Sequence, residues 1–154
     1  MINKHIHNLL LTFIIFTSCD QANLYDENKP IDNRTWNYSN PVKFQVDIND
    51  SKAKYDIYVR IRHTPEYKYS NLFFLLHQTG NKLKDTAYRH EVKLAELDGR
   101  WLGNSAGSLF NTEFKAEENF IFPDTGIYSF TVEQNMRDNP LKNISDVGLK
   151  IIKK

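Results

Sequence analysis

The residue with the most definite chemistry in this sequence is Cys19, the only cysteine of the chain. It follows Phe16, Thr17 and Ser18, and small residues directly before a cysteine resemble a bacterial lipobox. In that motif the thiol is diacylated, the chain is cut before the cysteine, and the new amine is usually acylated too. Phe16 stands where leucine is commonest. The pattern predicts lipidation at Cys19.

The segment before Cys19 has the pattern of a signal peptide. Lys4 supplies a basic start, and residues 9–16 read LLLTFIIF, a short apolar run. This run is too short to cross a hydrocarbon core of about 30 Å, which needs roughly 20 helical residues. The alternative is a core strand followed by an ordinary buried thiol. The position of the run near Met1 and the lack of a second cysteine favour a lipoprotein signal peptide over residues 1–18.

Composition indicates one folded domain without a general attraction to polyanions. The chain has 154 residues, with 20 basic and 19 acidic side chains. Removal of residues 1–18, which hold Lys4 and no acid, leaves the charge balanced, so we expect no nucleic-acid partner. Ten Phe and eight Tyr against six Gly and five Pro are typical of a packed core and not of a disordered chain.

From Cys19 onward the sequence has a polar segment, and then a longer segment in which apolar and polar residues alternate. Residues 19–34 are polar, include Pro30, and predict a tether between the lipid and the domain. Residues 35–154 predict a single domain in which apolar side chains recur with period two, as in Phe44, Val46 and Ile48. Short strands with frequent turn signals favour an all-β fold. We expect an antiparallel β-sandwich, immunoglobulin-like or jelly-roll, of about eight or nine strands.

Three stretches refine this expectation. Residues 72–76 are continuously apolar and predict a strand buried on both faces. Residues 92–97 predict a strand that ends at the Asp98-Gly99 turn. Gly126 and Tyr128 at the start of a later strand resemble a tyrosine corner, with Phe130 pointing inward.

The sequence offers no set of residues for catalysis, for a metal or for a cofactor. His5 and His7 belong to the signal segment, and His63, His77 and His90 are scattered without paired spacing. We therefore expect no enzyme, although triads form in space and not along the chain. Residues 103–108 are rich in Gly and Ser, but no helix follows to complete a phosphate site, so a hairpin loop is the better interpretation.

Aromatic residues in predicted loops are the candidates for partner binding. They are Tyr67, Tyr69 and Trp101, and aromatic side chains are enriched at interfaces. Arg137 lies between two late strands and is a further candidate. The competing interpretation is structural, because a sandwich needs many aromatics for its core and an arginine often pairs with a nearby acid. A lipid-anchored carbohydrate-binding module is the alternative function.

Several segments, in order and over nearly the whole mature chain, resemble the gliding-motility lipoprotein GldH family of Bacteroidetes. Apart from the lipobox at Cys19, each is short. The segments are residues 67–72 (YKYSNL), 98–103 (DGRWLG), 126–130 (GIYSF), 134–141 (QNMRDNPL) and 144–149 (ISDVGL).

The resemblance implies a non-catalytic, membrane-associated component needed for gliding and its linked secretion machinery. Its expected partners are the membrane, through the lipid, and other envelope or gliding-machinery proteins. Surface lipoproteins of this phylum usually carry a run of acids after the cysteine. Residues 20–23 (DQAN) lack one, which favours a periplasm-facing position in the cell envelope. Asp85-Thr86-Ala87 resembles the O-glycosylation pattern of the phylum's exported proteins.

Overall fold

The computed structural model describes residues 23–154, so the signal segment and Cys19 lie outside the described residues. Within this range no helix is long and apolar enough to span a membrane. A three-residue 3-10 helix covers Asp32–Arg34. The strands, in chain order, are β1 (Asn23–Pro30), β2 (Thr35–Trp36), β3 (Val42–Ile48), β4 (Tyr55–His63), β5 (Asn71–Thr79), β6 (Thr86–Lys93), β7 (Asn104–Ala106), β8 (Leu109–Phe120), β9 (Gly126–Gln134), β10 (Leu141–Lys142) and β11 (Ile144–Lys153).

The strands form an antiparallel β-sandwich, as the period-two pattern predicts. One sheet has the order β1-β11-β4-β8-β7 and the other the order β3-β9-β5-β6, while β2 and β10 form a small separate pair. Eight strands have seven residues or more, which agrees with the expected eight or nine. The short strands β2, β7 and β10 raise the total to eleven.

Alternation along the strands places the core between the two large sheets. In β3 every second residue from Val42 to Ile48 is buried, and the residues between them are exposed. Ile57 and Val59 of β4 are fully buried on the facing sheet. The rings of Phe74 in β5 and Phe114 in β8 meet edge to face at 5.8 Å, which joins the two sheets.

Residues 23–34, which we expected to belong to a polar tether, are part of the folded domain. β1 pairs with β11 from Asn23 to Pro30. Lys29 Nζ donates to the Lys43 carbonyl of the other sheet at 2.7 Å, and the Tyr25 ring meets that of Phe44 at 6.3 Å. An edge strand with few buried side chains shows no apolar alternation, so its sequence resembles a linker. Residues 23–34 therefore belong to the domain, which we expected to begin at residue 35.

Two further expectations differ from the structure. Residues 72–76 alternate between buried and half-buried side chains, so β5 has one core face. Its other face is partly covered, since the Arg89 guanidinium lies over the Phe73 ring at 3.8 Å. The strand expected at 92–97 lies earlier in the chain, because β6 ends at Lys93.

The tyrosine corner is confirmed. The Tyr128 hydroxyl donates to the Asp124 carbonyl at 2.9 Å, and Phe130 is fully buried as expected. The Tyr128 ring packs directly on Gly80, where a Cβ would overlap it. The motif thus ties the β5–β6 loop to the start of β9.

Candidate functional site

Three loops meet at one end of the sandwich, which we call the far end. They are residues 64–70 after β4, residues 94–103 after β6, and residues 135–140 after β9. Antiparallel pairing brings them together, because Asn71 at the start of β5 lies beside Lys93, and Phe74 lies beside Gln134. Most of the segments shared with the family named above lie at this end.

The first loop is anchored by backbone bonds and by a buried tyrosine. The Ser70 carbonyl accepts from the amides of Leu94 at 2.7 Å and Ala95 at 2.9 Å. Tyr67 is 3% exposed, and its hydroxyl donates to the Asn71 carbonyl at 3.1 Å. The Tyr67 ring therefore belongs to the core, so it is not available as an exposed partner contact.

An aromatic cluster lies behind this loop around His63. The imidazole of His63 is fully buried, with ring centroids 4.5 Å from Trp101, 5.4 Å from Tyr67 and 5.7 Å from Phe110. Burial lowers the pKa of His63 below its ordinary value, although its hydrogen bond with the Thr64 carbonyl opposes the shift. Burial likewise lowers the pKa of His90 in β6.

The lowered pKa values of these two histidines predict acid-sensitive stability. Because the folded-state pKa of His63 lies below its unfolded value of about 6.5, stability is full above that pH and falls as the pH drops below it. One proton contributes a slope of at most about 1.4 kcal/mol per pH unit. Urea unfolding between pH 7.5 and 5.5 measures this slope. His63→Phe, with His90 left in place, is expected to reduce it clearly, and an unchanged slope would contradict the assignment.

The third loop is organised by the buried side chain of Gln134. Its Oε1 accepts from the Met136 amide at 2.9 Å, and its Nε2 donates to the Asp138 carbonyl at 3.3 Å and to Asn139 Oδ1 at 3.2 Å. Asn139 Oδ1 also accepts from the Tyr38 amide at 3.0 Å. A buried amide with all these partners holds the loop in one conformation.

Tyr69 joins the first loop to the third. Its hydroxyl donates to the Asp138 carboxylate, and Lys68 Nζ lies 3.6 Å from the same group. The Tyr69 hydroxyl and, less strongly, Lys68 lower the pKa of Asp138. Asp138 is therefore charged near neutral pH, and its charge is already paired within the chain.

Of the arginines at this end, Arg89 and Arg137 are exposed and have no carboxylate partner among residues 23–154. The exposed Arg89 is held by its contact with Phe73 and by a bond from Nε to Asn135 Oδ1 at 2.9 Å. Arg137 projects from the third loop and is exposed. An arginine with a fixed guanidinium plane loses little side-chain freedom when it meets a carboxylate. These groups favour an anionic partner.

Tyr69 borders three grooves at the far end. The largest, about 610 Å³, runs toward Trp101 and the fully exposed Leu97. A second of about 460 Å³ is lined by Phe73, Arg89, Met136 and Arg137, and a third of about 450 Å³ lies beside Lys68 and Asp138. We define the Tyr69 surface by five of the solvent-reaching residues of these grooves: Lys68, Tyr69, Arg89, Leu97 and Arg137.

The four residues that the sequence suggested for partner binding are not all exposed. Tyr69, Trp101 and Arg137 lie at the far end, and Tyr67 is buried beneath them. The planes of the Tyr67 and Tyr69 rings are inclined to each other at 72°, and those of the Tyr67 and Trp101 rings at 46°. These rings do not form the coplanar exposed platform that the carbohydrate-binding alternative requires.

Sequence reasoning missed Arg89, Leu97 and Asp138. Arg89 was missed because β6 was expected later in the chain, and with the observed strand its alternation places it on the outer face. Leu97, a lone apolar residue beside the Asp98-Gly99 turn, was a usable signal. Asp138 carried no distinguishing local pattern, since its partners come from a distant loop.

Residues 103–108 form no phosphate site, and the acidic and histidine side chains of the described range form no metal site. β7 and β8 form a hairpin, and β8 follows where a phosphate site would need a helix. Among residues 23–154, no three His, Cys, Asp or Glu side chains lie close enough to hold a metal ion.

The fold and its far end define a β-sandwich domain with a rigid, grooved surface of aromatic and cationic side chains. A family model described as GldH lipoprotein matches residues 23–151, from the first residue of β1 nearly to the end of β11. The chain belongs to the GldH lipoprotein family.

Two relatives extend over almost the whole chain. A protein named gliding motility lipoprotein GldH homolog from Christiangramia forsetii is 33% identical over 94% of this chain and 92% of the relative. Gliding motility lipoprotein GldH from Flavobacterium johnsoniae is 29% identical over 95% of this chain and 94% of the relative. No solved structure matches the chain.

Proposed function

We propose that this chain is a lipid-anchored, non-catalytic envelope protein of the gliding machinery, and that it binds another envelope protein through the Tyr69 surface. Both relatives carry gliding motility in their names and align over more than nine-tenths of the chain. The lipid on Cys19 is the proposed membrane anchor, and the domain is proposed to face the periplasm.

The observation that carries the binding role is the construction of the far end. Loops from three distant parts of the chain are joined by the Tyr69–Asp138 bond and by the bonds that the Ser70 carbonyl accepts from the amides of Leu94 and Ala95. They hold Arg89 and Arg137 exposed and without an ion-pair partner in the described range. Rigid aromatic and arginine side chains contribute most of the energy at protein interfaces.

A non-catalytic role agrees with the positions of the perturbed titratable groups. His63 and His90, whose pKa values are lowered by burial, are packed among aromatic rings and do not line the grooves around Tyr69. Of the acids that line the grooves, Asp138 is engaged by Tyr69 and Lys68, Glu96 by Lys93, and Glu91 by Asn71. This leaves binding as the chemistry that the surface supports best.

Substitutions on the Tyr69 surface test the proposal in cells that carry a tagged full-length chain. Tyr69→Ala and Arg137→Glu are each expected to weaken partner binding by about 2 kcal/mol, roughly 30-fold in affinity, because they remove central interface contacts. Colony spreading should fall accordingly. Arg137 is exposed without an ion pair in residues 23–154, so its substitution should leave folding intact.

The matched control is Tyr88→Ala, a tyrosine 50% exposed on β6 and away from the grooves. Cells that carry this variant should spread as the wild type does, and the variant should co-purify with the same partners. A photocrosslinking residue at Leu97 should capture an envelope protein, and one at Tyr88 should not. Normal spreading of a deletion strain would contradict the gliding role, and wild-type behaviour of both surface variants would contradict the binding site.

A further inference from the structure

The end of the sandwich opposite the Tyr69 surface, which we call the anchor end, is where β1 begins. Asn23 pairs with Ile152 near the end of β11, and Tyr55 at the start of β4 pairs with Phe120 at the end of β8. In the other sheet Ile48 pairs with Gly126 at the start of β9. The anchor end therefore consists of Asn23 and three loops, residues 49–54, 80–85 and 121–125.

The chain between the cysteine and the domain is short. Since β1 begins at Asn23, only residues 20–22 separate it from Cys19. Four peptide steps of at most about 3.6 Å each span about 14 Å. β1 is held by its pairing with β11, and its Lys29 reaches across to Lys43 at 2.7 Å, so the strand cannot serve as extra tether without breaking these contacts.

The anchor end carries free positive charge. Lys52, Lys54, Lys82 and Lys84 are exposed, and none has a carboxylate within ion-pair distance among residues 23–154. The acids in the same three loops are fewer than the lysines, and each contacts another side chain. Asp50 lies 2.8 Å from Lys153, Asp85 lies 3.4 Å from His77, and Asp124 accepts from the Tyr128 hydroxyl at 2.5 Å.

Apolar side chains accompany these lysines. Ile121, in the loop after β8, is 53% exposed, and Ile127, at the start of β9, is 66% exposed. Exposed apolar residues beside lysines are the combination that adsorbs to a bilayer with anionic headgroups.

We propose that the anchor end lies on the bilayer surface, with Ile121 and Ile127 at headgroup level and the four lysines facing anionic phospholipids. This inference rests on the proposed acylation of Cys19. The nine residues of β4 span about 30 Å. The Tyr69 surface is therefore held about that far from the membrane and points away from it, toward partners in the aqueous compartment.

Fluorescence quenching in vesicles tests this orientation. The acylated full chain carries one added cysteine, in Lys52→Cys at the anchor end or in Lys142→Cys at the far end, and both lysines are exposed without an ion pair in the described range. Each variant is labelled with bimane. The vesicles contain phosphatidylcholine and phosphatidylglycerol at three to one, with a nitroxide on part of the choline headgroups. Quenching is expected to be at least five-fold stronger at position 52.

A matched pair of substitutions tests the contact itself. Ile121→Asp with Ile127→Asp should reduce quenching at position 52 at least two-fold, whereas Leu97→Asp, at the far end, should leave it unchanged. Equal or reversed quenching at positions 52 and 142 would overturn the inference, as would quenching at position 52 that is insensitive to the isoleucine changes.

The mass of the N-terminal peptide separates the two proposals. A peptide without acyl chains would refute the anchor and, with it, the orientation. An acylated protein with the wrong quenching pattern would refute the orientation alone and leave the anchor and the Tyr69 surface standing.

Discussion

A chain in which Cys19 is replaced by Ala is expected to be absent from the lipid-modified fraction and to accumulate as an unprocessed precursor. The thiol is the acceptor for the diacylglycerol, and cleavage before residue 19 requires that modification in the lipobox system. The expected effect is all or none: no labelled fatty acid on the protein and no cut at residue 18. Metabolic labelling and the mass of the N-terminal peptide measure both outcomes.

The acyl chains supply the free energy that holds the protein in the membrane. Each buried methylene contributes about 0.8 kcal/mol, so two or three chains anchor a protein durably, whereas one myristoyl chain does so only marginally. Among residues 23–154 no helix replaces this anchor. The folded domain should be unaffected, because Cys19 lies before β1.

Ser18→Ala is the matched control for this substitution. It keeps a small residue before the cysteine, so processing and membrane recovery should remain normal. Equal lipidation of the Cys19→Ala chain would overturn the anchor, and failure of the Ser18→Ala chain would show that the pattern was misinterpreted.

The largest stability effect in the described domain is expected for Phe122→Ala. Phe122 is 1% exposed, and its ring lies 4.6 Å from Tyr128, 4.9 Å from Phe120 and 5.1 Å from Tyr55 between centroids. Removing it leaves a cavity among rigid rings that cannot close it. The free energy of unfolding should fall by about 3–5 kcal/mol, measured from the urea midpoint at constant slope.

The neighbouring residue supplies the control. Ile121 is 53% exposed, and Ile121→Ala should change the free energy of unfolding by no more than about 0.5 kcal/mol. If Phe122→Ala does not fold, Phe122→Leu, which keeps more of the volume, should fold with a smaller loss. Equal stabilities of the Phe122→Ala and Ile121→Ala chains would contradict the assignment of this ring to the core.

Local pattern was enough for the fold class and for some elements. The alternation of Phe44, Val46 and Ile48 predicts a strand with one buried face, and β3 has this pattern. The tyrosine corner at Tyr128 was visible because its residues are adjacent in sequence and its bond spans only four residues. Such features depend on side-chain period and turn chemistry, which a single sequence contains.

Predictions from the local sequence pattern were wrong where a residue distant in the sequence decides whether a side chain is buried. β1 was mistaken for a tether because its side chains are mostly exposed, and only pairing with β11 makes it a strand. Residues 72–76 resemble a doubly buried strand, yet Phe73 is covered on one side by Arg89 and not by a second layer of core. Tyr67 and Tyr69 are two residues apart, and only their packing shows that one is buried and the other reaches solvent.

The sequence by itself determined that the described domain is an antiparallel β-sandwich, and it predicts the lipid on Cys19. Both follow from short-range signals, the period of apolar residues and the residues just before a cysteine. Only the tertiary structure decided that residues 23–34 belong to the domain, that Tyr69 meets Asp138, and that the far end and the anchor end are opposite. The physical reason is that strand register, which brings residues 69 and 138 together, is set by the summed packing of two sheets and by no local segment.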